Sequence, residues 1–292
     1  MYVYAISVPD PFVLDSDWQK AIAAARLKRI ELDISTSCAA NAEELALKVQ
    51  ILTQMQSEGK VIVGSVHLPF GAHWEYSGLD EAERRATVEN VKKVVVACRP
   101  LGCRLFTMHT CLEPIAPEDR AAEIEAFRKT LADLVPFALG EGVFLNAENL
   151  PRSCLGNTAE ELFEMLKGFP ENPIGVNFDV NHLCGHPEKI PEGIALHASR
   201  LRSFHFSDYD GIDECHWYPG LGVIDWAAVM EEVRRLPNDV QLTFEASRFL
   251  HAPEWKSRKL DPAIPLAAAV HNVFLMENAA EFQRRKAKLV LL

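Results

Sequence analysis

Eight short runs rich in β-branched and aromatic residues recur along this 292-residue chain, separated by stretches of helical periodicity. The runs fall at residues 2–7, 29–34, 61–68, 103–110, 143–149, 174–180, 201–207 and 240–246. Helical patterns occupy residues 41–58, 80–99, 117–139 and 158–166, and a last helix is expected between residues 265 and 288. The segment 187–199 is a weaker helix, because Pro191 and Gly193 interrupt it. Such alternation predicts an α/β chain around a parallel sheet. An open dinucleotide-binding sheet would carry a glycine-rich turn after its first strand, but that position reads SVPDPF. The expectation is therefore a single (β/α)8 TIM barrel spanning residues 1–292, with no linker or internal repeat to divide it.

Composition narrows the function classes. Hydrophobic residues make up 48% of the chain, enough for a large core, yet no apolar run approaches the ~18 residues of a membrane span. The opening MYVYAISVPDPF lacks the basic start of a secretory signal. Seven cysteines, scattered without paired spacing, suit a reducing compartment, and a cytoplasmic location is expected. A formal charge of -11 argues against a broad nucleic-acid surface and favours a small-molecule substrate.

In a barrel of this kind, chemistry gathers at the C-terminal ends of the strands. Six consecutive runs end there in a metal-binding side chain: His67, His109, Glu148, Asp179, His205 and Glu245. Any one of them has an ordinary reading as a hydrogen-bonded core group or a helix cap. Six together do not, since burying them unpaired would cost several kcal/mol each, and a divalent ion removes that cost. The stretch from Leu201 to Trp226 concentrates the pattern. It holds His205, Asp208, Asp213, Glu214 and His216, then Pro219, Gly220 and Gly222, before Asp225 caps a helix. The Pro219–Gly222 turn is either an anion-receiving loop or simply the turn this connection needs. The cysteines near strand ends read as small fillers.

The motifs NAENL (Glu148), DVNH (Asp179, His182), HFSD (His205, Asp208), PGLGVIDW and TFEAS (Glu245) resemble the xylose isomerase-like TIM-barrel superfamily. That group includes sugar phosphate isomerases/epimerases and the endonuclease IV family, and the resemblance covers about residues 2–250. It implies a metal site of Glu148, Asp179, His205 and Glu245. It also implies that the HLPFGAHWEYSG stretch around His67 faces the substrate. Ketose 3-epimerases of the group place an arginine shortly after the His-x-x-Asp element, whereas no basic residue lies between Asp208 and His216 here. Endonuclease IV relatives carry Asp-x-His where this chain reads Glu214-Cys215-His216. His67, His109, His182 and His216 match positions that would complete a three-zinc cluster.

Three carboxylates and one imidazole make a hard-oxygen site suited to Mn2+, Mg2+ or Co2+, with Zn2+ as a further candidate. Such an ion polarises a sugar carbonyl and stabilises the enediolate left when a proton departs. Glu148 and Glu245, on the fifth and eighth strands, are the expected acid/base pair, or else plain ligands. His67, His109, His182, Trp74, Asp208 and His216 are expected to meet the substrate or support those that do. Trp74 and Tyr76 either stack on a sugar face or cover the barrel mouth. The expected activity is isomerisation or epimerisation of a sugar, sugar phosphate or related polyol. The alternatives are an endonuclease IV-type phosphodiester hydrolase and a cyclic polyol dehydratase. The expected partner is a carbohydrate, without membrane or nucleic acid, and association into a homo-oligomer is compatible with the chain.

Overall fold

The computed structural model describes residues 1–246 and 263–289. Eight parallel strands close a barrel in sequence order. They are β1 (Tyr2–Pro9), β2 (Arg29–Asp33), β3 (Ile62–His67), β4 (Leu105–Met108), β5 (Phe144–Glu148), β6 (Ile174–Asp179), β7 (Leu201–Phe206) and β8 (Val240–Phe244). Closure comes from β1 against β8, in register from Tyr2 opposite Val240 to Ile6 opposite Phe244. All eight expected strands are present, several of them a residue or two shorter at their ends. Ser247, which ends the TFEAS motif, lies outside the described residues.

Helices between the strands begin where short polar side chains can take up free amide groups. Asp15 caps α1 (Ser16–Ala24), Ser35 caps α2 (Thr36–Ala40) and Asn41 caps α3 (Ala42–Ser57). Asp80 caps α4 (Glu81–Ala97), α5 is Arg120–Glu141, and Thr158 caps α6 (Ala159–Leu166). The weak segment forms a turn of 3-10 helix and then α7 (Ile190–Leu196), and Asp225 caps α8 (Trp226–Arg235). The single C-terminal helix expected from sequence is two, Ala263–Glu277 and Ala279–Leu289. Between them the Phe274 carbonyl accepts from both the Asn278 side chain at 2.8 Å and the Asn278 amide at 3.2 Å.

Strand periodicity sorts the barrel into two layers. Leu32, Val66, Phe106, Leu145, Phe178, Phe204 and Leu242 are buried in the apolar core. The alternate residues fill the barrel with polar groups. Ser65 donates to Glu31 at 2.6 Å, Gln241 donates to Ser65 at 2.6 Å, and Asn146 donates to Ser203 at 3.2 Å. Gly64 makes room for this layer, because a Cβ there would lie 2.0 Å from the Gln241 Oε1. Such barrels are usually packed with Val, Ile and Leu, so the polar filling sets apart the floor beneath the strand ends.

Candidate metal and active site

Three groups of ligand-type side chains meet above that floor: His67 with His109 and Glu148; Glu148 with Asp179, His205 and Glu245; and His182 with Glu214 and His216. Within each group one ligand atom per residue lies within 4.8 Å of the others. Glu148 belongs to the first two. The six strand-end residues read from the sequence therefore converge, and His182 and His216 join them at the rim. His67, His109, Glu148, His182, His216 and Glu245 border a cavity of about 230 Å³, also lined by Phe70, Arg152 and the thiols of Cys111 and Cys154.

The imidazoles are held so that one nitrogen is anchored and the other turned toward the carboxylates. His67 Nδ1 bonds the Leu68 carbonyl at 2.8 Å and leaves Nε2 3.2 Å from Glu148. His182 Nδ1 bonds the Asn149 carbonyl at 2.9 Å, with Nε2 3.4 Å from Asp179. His205 Nε2 is anchored on Glu31 at 2.7 Å, while Nδ1 lies 2.8 Å from Glu148 and 3.2 Å from Glu245. His216 bonds the Glu245 carbonyl through Nδ1 at 3.0 Å and Glu214 through Nε2 at 2.7 Å. Phe70 stacks on His109 with ring centres 4.1 Å apart.

Electrostatics here is a contest between burial and neighbours. Burial alone would push Glu148 up, but His205, His67 and His109 hold its carboxyl well below the usual range. Burial would likewise disfavour the charged His205, yet Glu148, Glu245 and Glu31 raise it well above an ordinary imidazole. His67 and His216 are each raised to about 9, as Glu148 and Glu214 respectively outweigh their burial. Glu245 is lowered to about 2, with His205 overcoming its desolvation. For His109 burial wins and lowers it to about 3. Burial also raises Asp179 to about 6.

Two expectations need correction. Asp208 does not reach the cavity: its fully buried carboxylate accepts from the amides of Tyr209, Gly220 and Ile224 and from the Trp226 indole at 2.9 Å. Those bonds occupy the Gly220 amide, so the Pro219–Gly222 turn is built around an internal carboxylate. A Cβ at Gly222 would sit 2.1 Å from the Tyr209 carbonyl, which explains the glycine. Trp74 is buried in the core beside Tyr76, whose hydroxyl bonds the Pro69 carbonyl at 2.8 Å; Phe70 takes the cavity wall instead.

Sequence reading passed over Glu31, Arg152 and Phe70 as site residues. Glu31 lies mid-strand, with only its placement on the barrel's inner side as a signal. Arg152 sits in a loop with no motif of its own.

The donor set fits a divalent cation. Asp179 Oδ2 is buried with no hydrogen-bond partner, and it faces His182 and His205 at 3.4 and 3.8 Å. Anchored imidazoles with a free inward nitrogen are the arrangement metal ligands require.

Fold and site together define a (β/α)8 barrel with clustered histidines and carboxylates at its C-terminal mouth. The chain belongs to the xylose isomerase-like TIM barrel family, whose model matches residues 21–264. An uncharacterized protein of Methanocaldococcus jannaschii is 26% identical over 185 residues, covering 62% of this chain and 63% of that protein's length. A D-tagatose 3-epimerase-like protein superposes with a TM-score of 0.75 at 19% identity, over 97% of this chain and 99% of that one. D-psicose 3-epimerase from Clostridium cellulolyticum gives 0.71 at 16% identity, over 94% and 99%. A putative sugar phosphate isomerase/epimerase from Anabaena variabilis gives 0.74 at 15%, over 96% and 99%. At these identities the likeness is one of fold. No described helix is long and apolar enough to cross a membrane.

Proposed function

We propose that the protein is a divalent-metal-dependent isomerase or epimerase of a sugar or related polyol. The observation that carries this reading is the pairing of Glu148 and Glu245 about His205, within one ligand group and beside a cavity of monosaccharide scale. Glu148, Asp179, His205 and Glu245 would hold the ion, Mn2+, Mg2+ or Co2+ by their hard-oxygen character. When bound, the ion would polarise the substrate carbonyl and stabilise negative charge beside it.

The chain's own residues supply the proton movements. Glu148 and Glu245 reach the group from β5 and from the end of β8, so one carboxylate can take a proton from carbon while the other returns one. Their depressed pKa values keep both ionised, which suits the base; the returning acid must be a carboxylate that has just received a proton, or water. His67, His109, His182 and His216 line the cavity and can bond substrate hydroxyls. Among the described lining residues Arg152 is the only Lys or Arg, and three carboxylates already hold it.

A second reading, metal-dependent phosphodiester hydrolysis, is favoured by one observation: the ligands form three groups, two sharing Glu148. Metal analysis coupled to an activity screen separates them. One or two ions per chain, with turnover of ketoses, aldoses or inososes, support the first. Near three ions, with cleavage of an abasic-site duplex, supports the second and overturns the first.

A further inference from the structure

We infer that Arg152 is a positioning residue that presets Glu214 as a metal ligand by tying three mouth loops together. The inference rests on reading His182, Glu214 and His216 as a ligand group.

Arg152 lies in the loop after β5. Its guanidinium donates from Nε to both oxygens of Glu113 at 2.9 Å and from Nη2 to Glu113 at 2.6 Å. Its Nη1 donates to Asp213 at 3.0 Å and to Glu214 Oε2 at 2.9 Å. Glu113 belongs to the loop after β4, and Asp213 and Glu214 to the loop after β7. One planar fork therefore joins three connections that share no backbone ladder. A guanidinium offers five donors in one fixed plane, so it serves these partners from set directions with a single charge.

The contact to Glu214 is one-sided in a useful way. Arg152 takes Oε2, which leaves Oε1 facing His216 Nε2 at 2.7 Å and His182 Nε2 at 4.0 Å. The carboxylate is thus fixed with one oxygen toward the two imidazoles. Arg152 itself is held hard. Its backbone is left-handed, at φ +52°, a conformation a side-chain-bearing residue adopts only when its surroundings impose it. Asn157 donates to its carbonyl at 2.5 Å, and Arg120 from α5 grips the next two carbonyls, Ser153 and Cys154, at 2.9 Å each. His216 is also left-handed, at φ +48°.

Removing the guanidinium has two opposed effects on a cation at this group. Loss of a positive charge would favour the cation, and loss of orientation would disfavour it. Orientation should win, because three carboxylates already outnumber the charge of Arg152. Without it Glu113, Asp213 and Glu214 repel one another, and Glu214 swings from the imidazoles.

The test is Co2+ titration of the full-length metal-free protein, followed by the visible absorption of the bound ion, in wild type and in Arg152→Ala, Arg152→Lys and His182→Ala. The His182→Ala spectrum identifies the rim site. Arg152→Ala should weaken that site by about 10–100-fold, the usual scale for a residue that orients a ligand, and leave the site of Glu148, Asp179, His205 and Glu245 unchanged. Arg152→Lys, which keeps the charge without the fork, should recover only a minor part of the loss. Full recovery in Arg152→Lys, or wild-type rim affinity in Arg152→Ala, overturns the inference. If wild type shows no Co2+ site sensitive to His182→Ala, the ligand reading falls and the inference with it. Circular dichroism of each variant confirms that the barrel is intact.

Discussion

The deep ligand group and the rim group use the same residue types but are built by different means. Glu148 and Asp179 end barrel strands and His205 stands one residue before the end of β7, all almost wholly buried, while Glu245 follows β8 with its side chain 22% exposed. Glu214 and His216 stand on a long loop, their side chains 23% and 14% exposed, with His216 in the left-handed region. Strands fix the deep group through the ladder of hydrogen bonds that makes the barrel. The rim loop is pinned beside His216 by the Asp208–Trp217 backbone pair, and Glu214 depends on side chains from elsewhere, above all Arg152. The same ligands therefore carry different vulnerabilities: local charge and proton chemistry in the deep group, remote tethers in the rim.

The largest expected effect falls on the deep group. Glu245→Gln keeps the size and one ligand oxygen, so metal should stay while turnover of the identified sugar falls by roughly two to four orders of magnitude. In deuterated water the wild type should place deuterium at the epimerised carbon and the variant should not. Normal exchange in both Glu245→Gln and Glu148→Gln would reduce the pair to ligands and erase the proposed chemical distinction between the two regions.

A smaller effect is expected at Glu31, the anchor of His205 Nε2. Glu31→Gln removes the charge that anchors His205 Nε2 and frees the ring to turn. Metal affinity of the deep group should fall by about 10–100-fold, measured by competition with a chelator. Unchanged affinity would mean that the strand alone orients His205.

The Asp208 loop tests whether tethering at the rim is structural. Asp208→Asn turns an amide NH2 toward amide and indole donors, and should cost about 1–3 kcal/mol in denaturant unfolding. Trp226 fluorescence should report the change, since the Trp226 indole loses its acceptor. A neutral result would show that the loop holds its shape without the carboxylate.

The mildest effect is on pH. In the metal-free protein His67 and His216 are raised from 6.5 to about 9. Their contribution to stability is then complete below pH 6.5 and is lost as pH rises through 9, because the folded state holds protons that the unfolded chain has released. The melting temperature of the metal-free protein should decline across that window. Metal-loaded protein, which needs these imidazoles neutral, should gain relative to it. A flat profile for the metal-free form would remove the charged imidazoles from the account.

Sequence by itself determined the barrel and which ligand-type residues stand at its mouth. A strand has a period of two and a definite end, so a histidine or carboxylate closing an apolar run can be placed at the barrel mouth without knowing any partner. Six such ends gave Glu148, Asp179, His205 and their neighbours. Tertiary structure decided the rest, because those contacts join residues with no shared period. Glu31 meets His205 across 174 positions and Arg152 meets Glu214 across 62. Asp208 shows the same limit from the other side. Its place beside His205 in the sequence suggested a role at the cavity, yet the loop that follows folds back and surrounds its carboxylate with donors. Strand ends are set by local pattern, whereas the direction a loop side chain takes is set by whatever the rest of the barrel brings to meet it.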